Sequence, residues 1–200
     1  VNYIHQNIGR MSLGVKVGET YTDYGDGNLE ETEQLYDMAL SGKGFFAISY
    51  ADRNGNESVR YTRDGNFTVN SQGVLVTKDG DFVLAEDGGL INIPEGVKIS
   101  VDESGRITAD GQEIAQLQLV DFEDYNYLEK FGENMYIAID GATTKDAQCK
   151  VYQGYLEASN VNVVTEMVDM ITITRDYESN QKVIQTIDST LEKSVALGRI

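Results

Sequence analysis

"SNVNVVTEMVDMITITRDY", Ser159 to Tyr177, is where the chain changes texture. Its first residues alternate between polar and apolar. From Asn162 the spacing turns helical: Val164, Met167, Val168, Ile171, Thr174, Tyr177, Gln181, Ile184, Ile187, Leu191 and Val195 follow in steps of three or four. Such steps keep side chains on one helix face, with a period near 3.5 residues. Asn162 suits the N-cap, because its side-chain oxygen can accept from an unpaired N–H of the first turn. Glu166 complements the positive end of the helix dipole, and Lys193 and Arg199 the negative end. No Gly or Pro lies between Asn162 and Leu197. About 36 residues rising ~1.5 Å each predict a rod of roughly 54 Å. A β-domain of this size cannot cover that length, and a lone solvated helix has no use for a continuous apolar stripe. The spacing therefore predicts a helix made for assembly, buried by a partner helix from elsewhere.

Upstream the pattern is different. Between residues 41 and about 155, apolar and aromatic runs recur: "GFFAISY", "VRYT", "NFTVN", "VLVT", "FVLA", "INI", "VKISV", "RITA", "IAQLQLVDF" and "MYIAI". Between them stand "DRNGNE", "RDGN", "NSQGV", "KDGD", "EDGG", "DESG" and "ADGQ". Asx-Gly pairs mark tight turns, since glycine accepts positive φ and Asx side chains bond back to the turn. Turns at this spacing predict an antiparallel β-sandwich or barrel-like domain. Pro94 closes a strand, and "YNYLEKFGEN" (Tyr125–Asn134) has room for one helical turn. "LGVKVGETYTDYG" (Leu13–Gly25) is expected to be strand or extended chain. "NLEETEQLYDMAL" (Asn28–Leu40) has thin apolar content, and periodicity leaves it open between helix and extended chain. The fold expected is mainly β with a long α-helix. Residues 1–40 form an extended lead-in, 41–158 an all-β outer domain, and 159–200 a C-terminal coiled-coil or assembly helix.

Charge and composition narrow the function classes. Asp and Glu outnumber Lys and Arg 33 to 16, a net charge of -17. That field repels phosphate backbones and anionic bilayers, which excludes nucleic acid as a natural partner. No apolar run has the length that crosses a bilayer, so no membrane insertion is expected. No secretory signal pattern is present, and the chain begins at Val1, so targeting information upstream is outside it. Cys149 is the only cysteine and forms no internal disulfide.

The candidate chemistry is thin. The Asp- and Asn-rich turns invite a calcium reading, but an EF-hand loop needs Gly at its sixth position and Glu at its twelfth. Counted from Asp52 those positions hold Glu57 and Arg63; counted from Asp102 the fifth and sixth are Arg106 and Ile107. Hairpin turns are the better account. "GKGFF" (Gly42–Phe46) lacks the spacing of a phosphate loop and leads into a strand. His5 is the only histidine, so His and Cys ligands are too few for zinc. Acidic pairs such as Asp121 and Asp124, or Glu30 and Glu31, are expected by chance at this acidity. No catalytic, metal or cofactor residue stands out. Twelve tyrosines leave an alternative, a secreted β-sandwich adhesin or glycan-binding module with a helical stalk.

Four stretches resemble the hook–basal-body family of bacterial flagella, most closely its rod proteins. They are "ALSGKGFFAI" (Ala39–Ile48), "YTRDGNFTVNSQGVLVTKDGDFVL" (Tyr61–Leu84), "LQLVDFEDYNYLEKFGENMY" (Leu117–Tyr136) and "QGYLEASNVNVVTEMVDMI" (Gln153–Ile171). They occur in the family's order. The resemblance implies a structural rod subunit without catalysis or cofactor. It implies assembly as a homo-oligomer with other axial rod and hook proteins, and delivery by the flagellar export apparatus. The place implied is the basal body, in the periplasm and cell envelope, reached without a cleaved signal peptide. In the family an N-terminal helix pairs with the C-terminal one, and that helix is expected to precede Val1. Without it the exposed stripe is expected to drive self-association. The implied subunit interface is Val164, Met167, Val168, Ile171, Tyr177, Ile184, Ile187, Leu191 and Val195. The resemblance also favours extended chain with a short strand over Asn28–Leu40. It leaves proximal and distal rod subtypes open.

Overall fold

The computed structural model describes residues 21–52, 55–94 and 96–197. Sixteen strands and one long helix are arranged in chain order. The strands are β1 (Leu29–Glu31), β2 (Met38–Lys43), β3 (Phe45–Ala51), β4 (Glu57–Thr62), β5 (Phe67–Val69), β6 (Leu75–Thr77), β7 (Phe82–Val83) and β8 (Ile99–Val101). They continue as β9 (Arg106–Ala109), β10 (Gln112–Gln116), β11 (Leu119–Phe122), β12 (Leu128–Phe131), β13 (Met135–Ala138), β14 (Thr144–Asp146), β15 (Gln148–Gln153) and β16 (Tyr155–Glu157). A 3-10 turn at Tyr125–Tyr127 precedes β12, and α1 (Val163–Leu197) ends the described chain.

Every strand pairing is antiparallel. The largest sheet runs β12-β13-β4-β3-β7-β6-β5, with β11 paired to β3 and β14 paired to β11. Smaller sheets are β10-β9-β8, β15-β2 and β1-β16. Among the described residues no sheet closes into a barrel. The body is a set of open sheets, one of nine strands and three smaller ones.

β3 is the central strand, and its sequence says why. Successive strand side chains point to opposite faces. Phe45 and Phe46 are both buried, yet they enter different cores. Phe46 joins Met38, Leu40, Ile48, Leu75, Ile91, Ile107, Leu117 and Val151 in the larger one. Phe45 joins Phe122 and Leu128 in the smaller one, rimmed by Tyr24, Tyr61, Tyr125 and Tyr136. A continuous apolar run such as "FFAI" is what a strand covered on both faces requires. Gly65 lets the turn after β4 pass beneath β2: a Cβ there would land on the Met38 carbonyl oxygen.

The turns are made by the residues expected to make them. Asp110 and Gly111, both at positive φ, close the β9–β10 hairpin in two residues, the geometry that matches strand twist. The Asp102 carboxylate accepts from the Ser104 and Arg106 N–H groups at 2.9 and 3.0 Å. Asp52 accepts from the Asn56 N–H at 2.9 Å. Both sequences that invited a calcium reading thus spend their leading carboxylate on a hairpin. Asn28–Leu40 forms no helix; it holds β1, a turn at Leu35–Tyr36 and the start of β2, so β2 runs across residue 40. In "LGVKVGETYTDYG", Leu13–Thr20 lies outside the described residues, and Tyr21–Gly25 carries no strand.

Candidate assembly interface

α1 starts where its cap dictates. Asn162 Oδ1 accepts from the N–H groups of Val164 (3.0 Å) and Thr165 (3.3 Å), filling two donors that the first turn leaves unpaired. Glu166 lies in the first turn, while the last turn has no basic residue and Arg199 falls outside the described residues. The helix has 35 residues, about 52 Å of rod. None of them is buried.

Val164, Met167, Val168, Ile171, Tyr177, Ile184, Ile187, Leu191 and Val195 lie between 51% and 72% exposed. Soluble monomers do not leave a contiguous apolar face of this kind in water. The composition sharpens the point. Fourteen of the 35 residues are Val, Ile or Thr, side chains that lose χ1 freedom in a helix and favour it weakly. Thr172, Thr174, Thr186 and Thr190 return their hydroxyls to the carbonyl four residues back, which satisfies them without adding outward contacts. A helix built this way gains its stability from packing rather than propensity.

The root of α1 is held by one arginine. Arg63 follows β4 and faces three separate segments. Its Nε and Nη2 donate to Glu157 at 2.8 and 3.1 Å, and Nη2 also reaches Asp26 at 3.2 Å. Its Nη1 donates to the carbonyls of Gly42 (3.0 Å) and Gly44 (3.2 Å). Burial alone would lower the guanidinium, but Glu157 and Asp26 outweigh it and hold it above its ordinary value. Such a two-oxygen grip on a carboxylate fixes direction as well as distance.

Chain entry and exit meet at this point. β1 pairs with β16, the last strand before the helix. The Gly27 N–H donates to Glu157 Oε1 at 2.8 Å, and the Ala158 N–H to the Asn28 carbonyl at 2.8 Å. Asn160 donates to the Gly25 carbonyl at 3.1 Å. The approach is close enough that a Cβ on Gly27 would land on the Ala158 carbonyl oxygen. Tyr24 anchors the strap by packing on Tyr125 and Tyr136, ring centroids 4.9 and 5.5 Å apart. Under the strap, Asp121 is buried and accepts from Tyr125 (2.7 Å), Lys145 (3.0 Å) and the Phe122 N–H (2.8 Å). Burial would raise that carboxyl, yet these donors hold it below its usual range. Burial and Asp121 together push the Tyr125 phenol up to about 12.

The sequence pointed to the helix face and missed its anchorage. Asp26, Arg63 and Glu157 are far apart in the chain and obey no period, so spacing carries no trace of them. Four of the tyrosines behind the glycan-binding alternative pack inward. Tyr24, Tyr61, Tyr125 and Tyr136 pack into the smaller core rather than lining a ligand face.

Comparison with known proteins agrees with this arrangement. Residues 152–197, from β15 through α1, match the family described as flagellar basal body rod FlgEFG protein C-terminal. Residues 39–109 match the flagellar hook protein FlgE/F/G D1 domain. The flagellar basal-body rod protein FlgG of Buchnera aphidicola subsp. Schizaphis graminum is 37% identical over 198 residues, 92% of this chain and 73% of the relative. FlgG of Bacillus subtilis is 32% identical over 207 residues, 96% of this chain and 76% of the relative. FlgF of Caulobacter vibrioides is 37% identical over 174 residues, 86% and 68% of the two chains. With a long exposed C-terminal helix, a β-body locked to its root and identity of this extent, the chain belongs to the flagellar basal-body rod protein family.

Proposed function

We propose that the chain is a structural subunit of the flagellar rod that polymerises through α1 and the sides of its β-body. The observation that carries this is the fully exposed 35-residue helix with its apolar stripe. The interface residues are Val164, Met167, Val168, Ile171, Tyr177, Ile184, Ile187, Leu191 and Val195. Residues 159–200 form the assembly segment, 41–158 the outer β unit and 1–40 the lead-in. The stripe is covered by neighbouring copies and other axial proteins, stacked through a heterologous contact that does not close. The subunit performs no catalysis, works in the basal body across the periplasm, and arrives through the flagellar export apparatus.

Paired charges test this. Ile171→Asp with Ile184→Asp in the same chain leaves the thermal midpoint of the purified protein unchanged and abolishes rod assembly and swimming. Normal motility in cells carrying that double variant overturns the proposal.

A further inference from the structure

Positive charge is scarce in this chain, and part of it is spent internally. Arg63, Arg106, Lys145 and Lys150 each pair with a carboxylate. Arg60, on β4, does not. Its guanidinium carbon lies 5.4 Å from the centre of the Tyr50 ring and 5.0 Å from that of Phe131. The two rings meet edge to face, 5.3 Å apart. The Nε atom is buried without an acceptor. Nη1 reaches only the adjacent Val59 carbonyl, at 3.4 Å. Among the described residues no carboxylate pairs with it.

An arginine placed this way has given up water around Nε and gained ring faces but no counter-ion. The rings attract the cation and fix its plane. With Nε turned inward, the outward edge is the pair of terminal amino groups, which suits one carboxylate. Its rotamer freedom is already reduced, so less is lost when a partner docks. Arg, Tyr and Phe are also the side chains that concentrate at interface centres. Lys43, Lys78, Lys98 and Lys130, and Arg175, Lys182 and Lys193 on α1, have no ion pair among the described residues either, but no pair of rings holds any of them in place.

We propose that Arg60, held against the Tyr50 and Phe131 rings, is a subunit contact that takes a carboxylate of a second copy of this chain. The inference rests on the polymerising function above. The partner follows from charge: copies carrying -17 repel one another, and their surfaces offer carboxylates at twice the frequency of cations. A stack of such copies needs its uncommitted cations at the contacts.

The test is incorporation into basal bodies in cells whose own copy is replaced. Arg60→Glu is expected to lower incorporation at least tenfold with an unchanged thermal midpoint, and Arg60→Lys to lower it less. In the otherwise unaltered chain, a photo-crosslinker at Ser58, on the same strand face, is expected to trap a second, differently tagged copy. Normal incorporation of Arg60→Glu beside failure of the Ile171/Ile184 double variant overturns this inference and leaves the polymerising function standing. Normal incorporation of both overturns both. If Arg60→Glu fails to fold, the crosslink decides: a second copy supports the contact, and any other product or none overturns it.

Discussion

Phe46 and Ile184 are both large apolar residues; the first is 0% exposed and the second 60%. The difference marks two regions with different sources of order. In the β-body, strands bury one or both faces against each other, and β3 is covered on both. Its stability is internal. In α1 no side chain is buried, and the residues on its stripe favour helix weakly. Its apolar surface is therefore stabilising only once a partner covers it. The same hydrophobic effect thus folds one region and leaves the apolar surface of the other in water, which is what the proposed assembly role requires. The seam between them is polar: Arg63 ties β4 and the β2–β3 junction to Asp26 and Glu157.

The comparison breaks if the two regions respond alike to truncation. Phe46→Ala is expected to cost about 3–5 kcal/mol, the range for a buried Phe in a core that relaxes only partly. Urea unfolding of the purified chain measures it. Ile184→Ala in the unassembled chain is expected to cost under about 0.5 kcal/mol, as for an exposed position. Equal costs would mean that α1 packs on its own body. The seam comes next. Arg63→Ala leaves Glu157 without its partner inside a largely buried pair, at about 3 kcal/mol. It is also expected to loosen the helix root, read as faster amide exchange at Gly27 and Ala158, whose N–H groups bridge the strap and the exit strand. A loss of stability with exchange there unchanged would reduce Arg63 to an ordinary core contact.

How much of this was legible in the sequence follows from what each element depends on. The start of α1 was readable to within a residue, because a long period and an Asn cap are local signals. "GFFAISY", "VRYT", "RITA" and the Asp110-Gly111 turn were readable for the same reason, and became β3, β4, β9 and the β9–β10 hairpin. "QCKVYQ" was not singled out as a strand: its alternation is diluted by Gln and Lys, yet as β15 it pairs with β2 along its whole length and buries Val151. β1 and β16 are wholly exposed or half-buried, so no apolar pattern announces them. They exist because the strap and the exit strand meet in three dimensions. Arg63 was visible only as one letter of "YTRDGNF". Its role depends on partners at Asp26 and Glu157, and nothing local in the chain encodes that meeting.

A smaller effect sharpens the contrast through pH. The Asp121 carboxyl is held below its usual range in the folded chain. A lowered native value stabilises the fold above the unfolded value of about 4, and that contribution is lost as pH falls through the native value. Tyr125 has the opposite sense. Its phenol stands at about 12 when folded and about 10 when unfolded, so its contribution is full below about pH 10 and fades as pH climbs toward 12. Asp121→Asn is expected to cost about 1–3 kcal/mol near neutrality and to flatten both limbs of the melting-midpoint profile. α1 contributes no such groups to the body, so the Ile171/Ile184 double variant should leave the profile unchanged in shape.

A loss confined to the helix cap is the most discriminating for the seam. Asn162→Ala removes the oxygen that receives the Val164 and Thr165 N–H groups, a loss of about 1 kcal/mol to the helix. In a chain where α1 and the body were one cooperative unit, that loss would appear in the global unfolding midpoint. Here the body holds its own core, and no residue of α1 is buried. The cost should therefore fall on α1 alone, as weaker helical circular dichroism and faster exchange at Val164 and Thr165, with the near-ultraviolet tyrosine signal of the body melting at an unchanged temperature. A matching drop in that tyrosine transition would show that the helix root lends the body stability through Glu157 and Arg63, and that the two regions are less independent than their exposure implies.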